Sequence, residues 1–210
     1  MESFSSCDIL LLQNEINFDA AQEGIRIAME KGMTIILNPA PCTRDILDPR
    51  ILSRVSVLIL NQIEARMVAD MFQLSKGPTQ AKEEEWMAQE MMNRMLHLSL
   101  IILTLGSKGG LFVARKTDTT LFTHHFDALD NVHAIDTTGA GDTFVGYFVG
   151  LLSQSSDRIP SNWTLDQIES LLMPVVDQSV TASGICCESV GAISSIPVLS
   201  VVVARAKQKE

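Results

Sequence analysis

Val55-Ser-Val-Leu-Ile-Leu60, followed at once by Asn61-Gln-Ile-Glu64 and a helical pattern reaching about Phe72, decides the fold class. A near-continuous apolar run of strand length, without polar alternation, must be buried on both faces, and helices packed on a parallel sheet supply both covers. The same unit recurs outward from it. Upstream, Asp8-Ile-Leu-Leu-Leu-Gln13 reads as a strand. Asn17 then caps a helix through about Lys31, with Ala21, Ile25 and Ala28 on one face and Gly32 as its stop. Met33-Thr-Ile-Ile-Leu37 is the next strand, closed by Asn38-Pro-Ala-Pro41. Downstream, past a Gly77-Pro78 break, a helix over Ala81 to His97 leads into the strand Leu100-Ile-Ile-Leu-Thr104. Alternation of this kind predicts an α/β fold, a three-layer α/β/α sandwich with a mainly parallel central sheet.

After Gly106 the rhythm changes. Gly110-Leu-Phe-Val-Ala114 and Thr119-Thr-Leu-Phe-Thr123 read as a hairpin around Lys116-Thr-Asp118. Helices are expected from about Ala140 to Gln154 and from Leu165 to Ser183, the latter kinked or split by Pro174. No repeat, low-complexity tract or linker interrupts the 210 residues, which read as one domain over 1–210.

Composition narrows the function classes. The net charge of −9 disfavours nucleic acid and anionic membrane surfaces as partners, while leaving room for a local anion site. The longest apolar stretch, Phe144 to Leu152, carries two glycines and follows an aspartate, so it is a buried helix and not a membrane span. The N-terminus shows no signal-peptide pattern. Cys7, Cys42, Cys186 and Cys187 lack CxxC spacing and a companion histidine cluster, as expected of small thiols in a reducing compartment, the cytoplasm or the nucleus. His97, His124, His125 and His133 have neither triad nor metal spacing and read as surface or satisfied polar residues.

Chemistry concentrates in Asp136-Thr-Thr-Gly-Ala-Gly-Asp142-Thr-Phe144, set before an apolar helix. Gly139 and Gly141 allow a tight turn and close ligand approach, and a helix start presents N–H groups from Ala140 to Asp142 to an anion. A carboxylate beside a phosphate cradle suits proton removal from an attacking hydroxyl. The same residues also suit a plain helix start whose acid the dipole favours. No G-x-G-x-x-G follows the first strand, which argues against a dinucleotide-dependent oxidoreductase.

Taken together, these stretches resemble the ribokinase branch of the PfkB sugar-kinase family. Asp136-Thr-Thr-Gly-Ala-Gly-Asp142-Thr-Phe144 matches its C-terminal signature without a break. Leu12-Gln-Asn-Glu15, Leu37-Asn-Pro-Ala-Pro41, Asn61-Gln-Ile-Glu64 and Thr104-Leu-Gly-Ser-Lys-Gly109 follow in the family's order and approximate spacing, and Gly191-Ala-Ile-Ser-Ser195-Ile-Pro197 resembles its C-terminal loop. The resemblance implies ATP-dependent phosphorylation of D-ribose to D-ribose 5-phosphate, with Mg²⁺ required and K⁺ activating, in a chain that dimerises when full length. By the same resemblance Asp142 is the catalytic base, Ala140, Gly141 and Asp142 form the anion hole, and Gly139 belongs with them to the catalytic segment. Glu15 and Asp142 bind the sugar. Asn61, Thr104, Leu105, Gly106, Ser107, Lys108, Gly109 and Gly141 bind the nucleotide. Glu64 holds Mg²⁺ through water, and Asp136, Thr138, Cys186, Ser189, Gly191 and Ser195 surround K⁺.

Read without the resemblance, Glu64 is also an ordinary first-turn glutamate, Glu15 a solvated loop acid, and Thr104-Leu-Gly-Ser107 a strand-to-turn connection. Two departures stand out. Family chains are longer at the N-terminus, where the sugar-covering lid and early glycines lie, so this chain is expected to lack that part. Gln62 occupies a position where ribokinases often carry Glu.

Overall fold

The computed structural model describes residues 9–74, 83–155 and 159–207. Cys7, the Gly77-Pro78 break and the start of the helix expected from Ala81 lie outside them. In chain order the elements are β1 (Ile9–Leu12), α1 (Phe18–Glu30), β2 (Thr34–Leu37), α2 (Pro49–Leu52), β3 (Val57–Asn61), α3 (Gln62–Met71), α4 (Glu83–Arg94), β4 (Leu100–Thr104), β5 (Gly110–Arg115), β6 (Leu121–Phe126), α5 (Ala140–Leu152), α6 (Leu165–Gln167), α7 (Met173–Cys186) and α8 (Leu199–Ala206). They gather into two compact units. The first comprises residues 1–104, 111–124 and 156–163, and the second 105–110, 125–155 and 164–210.

The sheet belongs almost wholly to the first unit, in the order β1-β2-β3-β4-β5-β6. Strands β1 to β4 run parallel, with Leu12 beside Leu37, Leu37 beside Leu58, and Asn61 beside Thr104. Their C-terminal ends therefore share one edge. β5 turns back on β4, Arg115 N–H donating to Ser99 O at 2.9 Å. A turn closed by Lys116 N–H on Thr120 O leads into β6. Ile36, Leu37, Leu58, Leu60 and Ile101 are sealed from solvent. Burying each such side chain contributes about 1.5–3 kcal/mol, which is why the apolar runs and not local propensity set the sheet. Among the described residues β1 is an edge strand, and Ile9, Leu10 and Leu11 are only half-buried there.

Arg115 is a buried cation in this unit. Its guanidinium donates to Met92 O in the last turn of α4 and to Leu98 O, in the connection to β4, at 2.8 Å. In the second unit α5 packs against α7, and Phe126, Phe144 and Phe148 stack in sequence at 6.3 Å between neighbouring centroids. The helix expected over Leu165 to Ser183 starts at Leu165 and runs on to Cys186, with a π-turn over Ile168–Leu172 just before Pro174. The widened turn accommodates a residue that has no N–H to donate to the preceding turn.

Candidate active site

In the first unit, Glu15, Asn61 and Thr104 follow or close β1, β3 and β4, at the shared C-terminal edge. Asn61 ends β3 and caps α3. Its Oδ1 accepts from Ile63 N–H at 2.9 Å and Glu64 N–H at 3.0 Å, while its Nδ2 and N–H donate to the two carboxylate oxygens of Glu64 at 2.8 and 2.9 Å. The Asn-x-x-Glu spacing thus forms a closed capping box. Glu64 is 5% exposed, and burial pushes its carboxyl above the usual range, opposed in part by the Asn61 bonds. Each oxygen accepts one bond and keeps a lone pair, so the donor set fits a divalent ion reached through water. Gln62 turns to α4, donating to Glu84 at 2.6 Å. Cys42 lies close enough to feel the Glu64 charge; burial first, then that charge, pushes its thiol up to about 11. Glu15 is exposed in the turn after β1. Thr104 Oγ1 donates weakly to Leu60 O at 3.4 Å.

In the second unit, Leu105 N–H donates to Gly109 O at 2.8 Å around a 3₁₀ turn over Gly106–Lys108. Gly106, Ser107 and Lys108 are exposed, whereas Gly109 is buried. Gly109 sits at φ 74°, and a Cβ there would press on Phe126 O and approach Ala128 N to 2.8 Å. Only glycine fits that position.

The signature segment is in the same unit. Gly139 caps α5 in the left-handed region at φ 79°, and Asp142 stands exposed in the first turn beside exposed Gly141. The Ala140 N–H donates to Thr137 O at 3.2 Å, closing the turn that Gly139 makes. Ser183 Oγ donates to Ala140 O at 2.9 Å, joining α7 to the start of α5. Thr143, one residue past Asp142, buries a hydroxyl with no hydrogen-bond partner among the described residues.

Asp136 ties this segment to the C-terminal loop. Its two carboxylate oxygens accept from Gly191 N–H at 3.0 Å and Thr138 N–H at 2.9 Å, and these bonds, Gly191's first, hold its carboxyl below the usual range. Ser195 Oγ donates to Gly191 O or Ala192 O and meets the buried Cys186 sulfur at 3.1 Å, which in turn faces Thr138 O at 3.9 Å. Asp136, Thr138, Cys186, Gly191 and Ser195 therefore gather as a set, whereas Ser189 is an exposed residue of the connecting loop, its N–H on Cys186 O at 3.4 Å. The carbonyls of Thr138, Gly191 and Ala192 with the Ser195 hydroxyl are an oxygen-rich donor set of the kind a hard cation takes.

Residues 2–198 match the family described as pfkB family carbohydrate kinase. The chain belongs to that family. Among curated relatives, this pfkB-family chain is similar to a ribokinase of Staphylococcus aureus, 29% identical over 198 residues that cover 94% of this chain and 56% of the relative. It is also similar to a ribokinase of Haemophilus influenzae, 33% identical over 150 residues, covering 71% and 44% respectively. Among solved structures it is similar to a ribokinase of Cryptococcus neoformans var. grubii in complex with ADP, at 26% identity and a TM-score of 0.75, covering 96% of this chain and 61% of the other. The expected α/β fold with a mainly parallel sheet is thus that of the ribokinases. The chain spans about half the length of the curated relatives it matches.

The sequence placed Asn38 in the Asn-Pro-Ala-Pro41 motif and Thr143 in the Asp136–Phe144 signature without giving either a role of its own, and it did not single out Ser183. Thr143 was within reach, since a hydroxyl in the first turn of an apolar helix must find a partner. The partners of Ser183 and Asn38 depend on residues more than 20 positions away and leave no local signal.

Proposed function

We propose that this chain carries the phosphoryl-transfer machinery of an ATP-dependent sugar kinase, with D-ribose as the favoured acceptor. The observation that carries this reading is the start of α5, where a left-handed Gly139, exposed Gly141 and exposed Asp142 open a 13-residue helix. Asp142 takes the proton from the sugar's primary hydroxyl as that oxygen attacks the γ-phosphorus, and the β–γ bridging oxygen leaves with ADP. The N-terminal end of α5, with its positive dipole, faces the charge that develops on the transferred group. Glu15 accepts hydrogen bonds from sugar hydroxyls, and the turn at 105–109 holds the nucleotide. Mg²⁺, reached through water by Glu64 and ordered by the Asn61 cap, would neutralise phosphate charge when bound. A monovalent cation among the Thr138, Gly191 and Ala192 carbonyls would add charge that orders the cradle, with Asp136 clamping the two loops together. The ribokinase names of the relatives support ribose, and the ADP complex of the fungal relative supports an adenine nucleotide. The full-length form is proposed to be a homodimer that works in the cytoplasm.

A second reading, a nucleotide-binding partner without turnover of its own, draws on the chain's span of about half of its relatives. Calorimetric titration with ATP and Mg²⁺, together with ADP release measured with and without ribose, deoxyribose, fructose and adenosine, separates the two. Ribose-stimulated ADP release that Asp142→Asn abolishes supports the kinase. Nucleotide binding with no acceptor-dependent release supports the partner. Absence of nucleotide binding overturns both.

A further inference from the structure

The β2–β3 ladder is short, pairing Ile36 with Val57 and Leu37 with Leu58. Beyond it β3 continues through Ile59 and Leu60 to Asn61. At the end of β2 a side chain takes over from the backbone. Asn38 Nδ2 donates to Ile59 O at 3.1 Å, its Oδ1 accepts from Gln13 Nε2 at 3.0 Å, and its own N–H donates to Leu12 O at 2.9 Å. Asn38 is 8% exposed, so both faces of the amide need the partners they have. Gln13 stands two residues before Glu15, and Ile59 two before Asn61. The next residue tightens the frame further. Asn14 donates through Nδ2 to Pro41 O at 2.7 Å and Thr43 Oγ1 at 2.9 Å, and through its N–H to Ala40 O at 3.0 Å.

We propose that Asn38 is a positioning residue, a side-chain hub that fixes the placement of Glu15 relative to the Asn61–Glu64 cap. Its consequence for catalysis rests on the kinase reading above, in which Glu15 faces the sugar and Asn61 the phosphates. Misplacement of a reacting group by about 1 Å can cost on the order of 100-fold in rate. Asn38 touches neither ligand in this account; it acts through the strand ends on either side.

The test compares the parent chain with Asn38→Asp, which keeps the acceptor toward Gln13 but turns a second acceptor on Ile59 O, and with the near-isosteric Asn38→Leu. Hydrogen exchange resolved by NMR is read at Asn14 and Asn61, whose amides are bonded on either side of the hub, and at Ile102 in the middle of β4. Local loosening raises exchange at Asn14 and Asn61 together, by about tenfold or more, with Ile102 unchanged. Where the parent turns over sugar, kcat falls by about tenfold or more in both variants, with the KM for ATP within threefold. Exchange that rises equally at Ile102 marks a general loss of stability and overturns the proposal. So does a response at only one of Asn14 and Asn61, or an unchanged kcat in an active parent. Coupled exchange in a parent that phosphorylates no sugar leaves the hub standing and refutes the kinase reading instead. If both Asn38 variants fail to fold, Gln13→Ala removes the bond from Gln13 Nε2 to Asn38 Oδ1 and serves the same comparison.

Discussion

Replacing Asn61 with Ala tests the closed capping box. The change removes the Oδ1 acceptor of the Ile63 and Glu64 amides, a helix-cap loss of about 1 kcal/mol. It also removes the 2.8 Å bond from Nδ2 to a buried carboxylate, where a charged hydrogen bond contributes about 1.5–3 kcal/mol. The sum is about 2.5–4 kcal/mol. At ~2–4 °C per kcal/mol for a chain of this size, the melting temperature should fall by about 5–16 °C. Glu64→Gln should cost about 1 kcal/mol, since one of its two acceptor oxygens becomes a donor facing a donor. The double variant should cost less than the sum, because the pair shares its bonds. Urea unfolding followed by tryptophan fluorescence is the assay, as Trp86 and Trp163 both lie in the unit that holds Asn61. A loss for Asn61→Ala below about 0.5 kcal/mol, or additivity of the two changes within about 0.5 kcal/mol, would refute the box as a coupled element.

On the kinase reading, Asp142→Asn should lower sugar-dependent turnover by about 100-fold or more while nucleotide affinity by calorimetry changes little, because the proposed base is lost and the helix start remains. Gly139→Ala forces a left-handed φ of 79° on a residue with a Cβ and sets that carbon 3.1 Å from Ala192 Cα, so urea denaturation should show a loss of about 1–2 kcal/mol or more. Acid titration of stability should show two opposite contributions. Asp136, held below its ordinary 3.8, contributes stability that is present above that value and lost as pH falls through its folded value, so Asp136→Asn should blunt acid unfolding. Glu64, raised above its ordinary 4.5, contributes stability that fades as pH rises from that value through its folded one, so Glu64→Gln should flatten the curve there.

The parallel sheet was legible because strands buried on both faces leave unbroken apolar runs, and Leu100 to Thr104 came out with the expected bounds. Asn17 was legible as a cap, its side chain accepting from Ala20 N–H at 2.8 Å. The register of β6 was not, since the turn before it extends through Thr120 and displaces the strand to Leu121–Phe126. α8 went unseen because Val201-Val-Val203 at its centre is a β-branched run and its cap residue, Val198, offers no side-chain acceptor. Of the candidate site, Asn61-x-x-Glu64 and Gly139-x-Gly141-Asp142 showed themselves because each is a local backbone device with a fixed spacing. The bond from the Ala140 N–H to Thr137 O did not, since only the turn geometry reveals it, and the Asn38 hub depends on which strands end side by side.

The Asn61–Glu64 box has a consequence for how substitutions in this chain would be sorted by a cell. The atoms that would order a ligand there already hold a helix in place, so abundance and activity should fall together for variants at those two positions. At Asp142, exposed at the start of α5, the two readouts should part, leaving a well-populated but silent protein. A survey scoring both quantities across every position would thus separate the chain's chemistry from its architecture at Asp142 and find them inseparable at Asn61.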